Sequence, residues 1–132
     1  MKKLTKIILG IVALLATGTS FVAETVKISN CKELIAFADL VNGGTRKNQA
    51  QYTNAVLTNN IDMSQCSERY PMIGNEHSYT IYKGTFDGNG YVISNLAIDT
   101  IAQNVGLFGA VGGGTVKNVV LQSMRTKITY QM

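Results

Sequence analysis

Tryptophan is absent from this 132-residue chain, and proline and histidine occur once each, at Pro71 and His77. The only cysteines are Cys31 and Cys66. Each scarcity excludes something. A hydrolytic triad would have to use His77, whose neighbours Glu76 and Ser78 lie beside it in a loop and do not converge on one point. One histidine and two distant cysteines do not match a zinc spacing. Gly112-Gly113-Gly114 is followed by no Lys-Ser/Thr pair and opens no helix, so it is not a phosphate loop. No catalytic residue, metal ligand or cofactor is assigned. What is present is apolar residues at 45% and 13 glycines among many Val, Ile and Thr. That composition points to an ordered, β-rich single domain with tight turns.

The first residues read as an export signal. Lys2, Lys3 and Lys6 make a positive start, Ile7 to Ala16 an apolar run, and Ala16 to Ser20 a stretch of small residues. Residues 1–23 are expected to be a signal peptide cleaved between positions 18 and 23; the uncharged stretch of 17 residues from Ile7 to Ala23 is marginal for spanning a membrane. Of 12 basic side chains three lie in this segment, leaving nine against eight acidic ones. The basic balance therefore reports the export signal and gives no nucleic-acid footprint. Contact with a membrane is expected only through that signal. In an oxidising compartment Cys31 and Cys66 are either a disulfide or two buried thiols.

Residues 24–53 are expected to hold a helix and a polar loop. Asn30 can cap a helix over Cys31–Val41, with Glu33 reaching back, and Leu34, Phe37, Ala38 and Val41 share one apolar face. Asn42-Gly43-Gly44 would end it in a left-handed turn. From residue 54 to 132 the pattern turns to short β-type runs, with a turn-rich insertion over 64–78. Gly84-Thr85-Phe86-Asp87-Gly88 matches Gly106-Leu107-Phe108-Gly109-Ala110 at an offset of 22, and Ile93–Ile98 matches Val116–Leu121 at 23. Matched offsets predict an all-β fold, a right-handed parallel β-helix (solenoid) with the N-terminal helix as its cap. In that register Phe86 stacks on Phe108, Leu96 on Val119 and Ile98 on Leu121. Asn95 and Asn118 form an amide ladder, and Gly88, Gly90, Gly112, Gly113 and Gly114 turn the corners. The 54–132 coils would be incomplete at the C-terminus, where Thr126–Met132 begins a strand.

The run from Gly84 to Ile98, then Gly106-Leu107-Phe108-Gly109 and Thr115–Val119, resembles the GLUG-motif repeats. The resemblance implies a bacterial secreted or surface protein, adhesin-like, built of β-helical repeats. It implies structural repeat roles for Gly84, Phe86, Asn95, Gly106, Leu107, Phe108, Gly109 and Asn118, and leaves activity open.

Parallel β-helices also host carbohydrate-active enzymes, which need clustered carboxylates with a basic residue nearby. Asp62, Asp87 and Asp99 are separated in the sequence, and Lys83 and Arg125 are isolated. Asp87-Gly88-Asn89-Gly90 reads as a turn, because it lacks the ligand alternation of a calcium loop. Tyr79, Tyr82 and Tyr91 could stack on a ligand, or could be ordinary half-buried strand tyrosines. The expected function is a non-catalytic binding or structural module, extracellular or at the cell surface, with a glycan or a host or cell-surface protein as partner. The alternatives are the front of a carbohydrate-active enzyme or the stalk of a secreted peptidase.

Overall fold

A computed structural model describes residues 24–76, 79–100 and 105–128. Residues 1–23, expected to be a signal peptide, and 77–78, 101–104 and 129–132 lie outside the described residues. Nine short strands and one helix succeed one another: β1 (Val26–Ile28), α1 (Cys31–Asn42), β2 (Ala55–Leu57), β3 (Ile61–Asp62), β4 (Thr85–Asp87), β5 (Val92–Ser94), β6 (Ala97–Thr100), β7 (Thr115–Lys117), β8 (Val120–Gln122) and β9 (Arg125–Ile128). Single 3-10 turns cover Ala50–Tyr52 and Met63–Gln65.

The strands form three small parallel sheets, ordered β1-β2-β4-β7, β3-β5-β8 and β6-β9. The all-β right-handed parallel β-helix with a helical cap is therefore corrected. Strands of two to four residues lie in separate sheets beside a 12-residue helix, an α/β mix. The register is corrected as well. Side-chain hydrogen bonds between neighbouring levels, such as Val92 N to Asn60 Oδ1 and Asn95 Nδ2 to Asp62 Oδ1, join residues 31 to 33 apart, and the last strands pair with those beneath them at 28 to 30 residues. Phe86 pairs with Val116, Ile93 with Leu121 and Ile98 with Thr126. Phe108 instead bridges Ile73.

Why the motif misleads is visible at the glycines. A Cβ on Gly84 would lie 2.4 Å from the Thr53 carbonyl, and one on Gly109 would lie 2.4 Å from that of Gly74. Each glycine answers a different neighbouring level, so the likeness between their surroundings does not make them ladder partners. Gly90 and Gly113 do take positive φ, 80° and 82°. Gly88 does not, and is small because Asn118 passes over it, its carbonyl 2.3 Å from where a Cβ would be. Gly112 and Gly114 are likewise sites of close approach, to Ile81 and to the Gly84 carbonyl. Left-handed corners also fall on Asn89, Asn95, Asn118 and Ser123, whose φ lies between 55° and 59°. Asparagine tolerates that region better than other side chains with a Cβ.

The helix lies where its period places it. Asn30 Oδ1 accepts from the Glu33 amide at 2.9 Å, while Glu33 reaches one residue further back than a capping box requires, to Ser29 N and Oγ. The end differs from expectation: Gly43 has φ −87° and closes the helix by donating to Asp39 and Leu40 carbonyls. Leu34, Phe37, Ala38 and Val41 are buried in one core with Ile28, Leu57, Ile61, Ile73, Tyr82, Phe86 and Ile93. Phe37 meets Tyr82 and Phe86 with ring centroids 6.0 Å apart, and Phe86 meets Phe108 edge-on at 5.2 Å. The aromatic contact between Phe86 and Phe108 thus exists without their pairing in a ladder.

Candidate functional site

The segment after β3 runs beside β6 and β9 and borders one groove with them. Its near end is tied to the first residue of α1 by the Cys31–Cys66 disulfide, whose Cα atoms are 6.1 Å apart. The far end is fixed by Tyr70, buried, whose hydroxyl donates to the Leu107 carbonyl at 2.6 Å. Burial raises the Tyr70 phenol well above its ordinary pKa, so it stays neutral and keeps that proton. Between these anchors the Arg69 guanidinium donates to the Asp99 carbonyl of β6.

Wall and sheet enclose an open groove of about 660 Å³. Successive residues of a strand face opposite sides. Ile98 is buried, so Ala97 and Asp99 of β6 face out, as do Arg125 and Lys127, their partners on β9. The groove is lined by the cations Arg69, Arg125 and Lys127 and the anions Glu68 and Asp99, together with the apolar Leu96 and Ile98. Its volume lies in the range of small-molecule clefts.

The carboxylates weighed from the sequence do not gather. Asp62 ends β3 and accepts at one oxygen from Asn95 Nδ2 (2.9 Å), Ser64 Oγ (2.7 Å) and Ser64 N (3.0 Å). Asp87 ends β4 in another sheet and accepts from Asn89 N (2.8 Å) and Asn118 Nδ2 (3.0 Å). The expected Asn95–Asn118 amide ladder is thereby corrected. Each asparagine stands at a left-handed corner after its own strand and binds the aspartate of the neighbouring strand in the same sheet, Asn95 in β3-β5-β8 and Asn118 in β1-β2-β4-β7. Among the described residues no three His, Cys, Asp or Glu side chains come together as a metal site.

Those hydrogen bonds shift the acids. Asn95, then Ser64, lowers Asp62 from its ordinary 3.8 to about 2. Asn118 and the Asn89 amide lower Asp87, with a smaller contribution from Lys117. A carboxylate depressed in the folded state gives stability that is complete above its ordinary pKa and is lost as pH falls through the folded value. Thermal melts should therefore move to lower temperature as pH drops from about 4 to about 2. Asp62→Asn should melt below the parent at neutral pH and converge on it at the acid end; parallel curves would contradict the assignment.

The tyrosines divide. Tyr82 is fully buried, its hydroxyl donating to the Thr53 carbonyl at 2.9 Å and its ring packed on Phe37 and Phe108. It is core, which corrects its place as a stacking residue. Tyr79 is exposed in a turn, and Tyr91 is half-buried against the core. Gly84, Phe86 and Leu107 are structural: a close approach, a core ring and a buried contact. Sequence reasoning missed Arg69 and Glu68, because the polar insertion over 64–78 shows no period that would bring it beside β6 and β9; it also missed Lys127, which lies on β9.

No family model matches the chain, and no solved structure matches it. Over 102 residues it is 34% identical to halomucin of Haloquadratum walsbyi; the match takes in 69% of this chain and 1% of halomucin. The chain thus spans about 1% of the length of that relative. Among the described residues no helix is long and apolar enough to cross a membrane.

Proposed function

We propose that this chain is an exported, non-catalytic binding module of adhesin-like character, acting outside the cell, and that it binds acidic glycans in the groove between residues 63–70 and β6–β9. The likeness of residues 84–98 to GLUG-motif repeats supports an adhesive setting. One observation carries the choice of ligand: Arg69, Arg125 and Lys127 line an open groove whose wall is pinned at both ends. Guanidinium groups match carboxylate and sulfate geometry, and a fixed wall limits the ordering cost of binding.

Isothermal titration with a uronate-containing oligosaccharide and its neutral counterpart tests this. The acidic sugar should bind and weaken with added salt, and Arg125→Ala with Lys127→Ala should weaken it about tenfold or more. Equal affinity for the neutral sugar, or no effect of the double variant, would contradict the reading.

A further inference from the structure

A second surface, independent of the glycan reading, is the outer edge of the last strands. In each sheet the core residues stack in register, and the stack ends uncovered. Phe86 is 0% exposed but its partner Val116 is 41% exposed. Ile93 is 0% exposed beneath Leu121 at 40%, and Tyr82 is 0% exposed beneath Val111 at 42%. Val116 and Leu121 thus occupy inward positions with nothing over them among the described residues, on strands whose outer backbone edge is likewise unpaired among those residues. At the opposite end β1 lies against α1, whose apolar face is buried.

Charge selects the occupant. Residues 105–128 contain Lys117, Arg125 and Lys127 and no Asp or Glu. Within the fold, Asp87 stands opposite Lys117 and Asp99 opposite Lys127 in the parallel register, so the level beneath meets these cations with acids. Two copies joined edge to edge would set three cations against three. We propose that this edge takes up an extended polypeptide strand from a partner, apolar at its inward positions and carrying a carboxylate beside Lys117, which extends the β4–β7 ladder by one strand. Main-chain hydrogen bonds supply affinity, the covered Val116 and Leu121 supply the apolar contact, and the acid sets register.

The probe is a synthetic peptide copying residues 84–100, which has the required spacing with two acids and no base. Fluorescence anisotropy against the chain lacking residues 1–23 should show salt-sensitive binding, weakened about tenfold when the peptide carries Asp87→Lys. Lys117→Glu in the protein should reverse that preference, and it leaves the apolar edge and the groove cations in place. Hydrogen exchange should slow at the amides of β7 and β8 when the peptide is bound. Val116→Lys with Leu121→Lys should abolish binding while circular dichroism stays that of the parent. Equal affinity for both peptides, no binding at millimolar peptide, or a dimer in ultracentrifugation that protects the same amides would each overturn the proposal.

Discussion

Reducing the Cys31–Cys66 disulfide, or replacing both cysteines with serine, should destabilise the chain by about 4 kcal/mol. The bond closes a loop of sequence separation 35, and restricting a loop of that length in the unfolded state is worth this much on a chain-entropy account. In a domain of this size the melting temperature should fall on the order of 15 °C. Geometry adds a second consequence. Cys66 begins the groove wall and Cys31 begins α1, so losing the bond frees the wall at one end while Tyr70 still holds the other. Glycan affinity should therefore fall even below the melting transition. A reduced protein that melts within about a degree of the oxidised one would show that the 64–70 segment is held by packing alone.

Phe86→Ala should cost about 3–5 kcal/mol, the range for removing a fully buried aromatic ring. Phe86 is where the sheets and the helix meet: its backbone pairs with Ala55 and Val116, while its ring touches Phe37 from α1 and Phe108 from the segment before β7. Ala55 directly beneath it is small, which lets Phe37 reach the ring across that level. The neighbours are anchored in different elements, so the cavity cannot close by one side chain moving. Urea denaturation of Phe86→Ala and Phe86→Leu checks this, with leucine expected between alanine and the parent. A loss under about 1 kcal/mol for alanine would mean that the ring is not central to the core.

The helix was legible because its signals are local: the Asn30 cap, the Leu34–Phe37–Ala38–Val41 face and the glycines after it all act within one stretch of chain. So was the change to short β-type runs from residue 54 onward, where strands do form at Ala55–Leu57, Val92–Ser94 and Ala97–Thr100. The pairing of strands was not. Gly84-Thr85-Phe86 and Gly106-Leu107-Phe108 look alike, yet the ladder joins Gly84-Thr85-Phe86 to Gly114-Thr115-Val116, a fainter echo that keeps only the Gly-Thr pair. Ladder partners are selected by which backbone passes overhead, as Gly84 passes under Gly114 and Gly74 beside Gly109. A side-chain motif records that only indirectly. The corners were misjudged for a related reason, since glycine was expected where asparagine both tolerates the left-handed backbone and binds an aspartate one level below. The groove was invisible because one wall comes from an aperiodic insertion whose position depends on the disulfide.

Both proposed surfaces depend on one register, in which β7, β8 and β9 lie in order over β4, β5 and β6. NMR on the uniformly labelled chain lacking residues 1–23 measures it through backbone proton contacts between strands. The account predicts contacts joining Phe86 to Val116, Ile93 to Leu121 and Ile98 to Thr126. Backbone contacts joining Phe86 to Phe108 and Ile98 to Leu121 would contradict it, and would remove both the groove floor and the open edge.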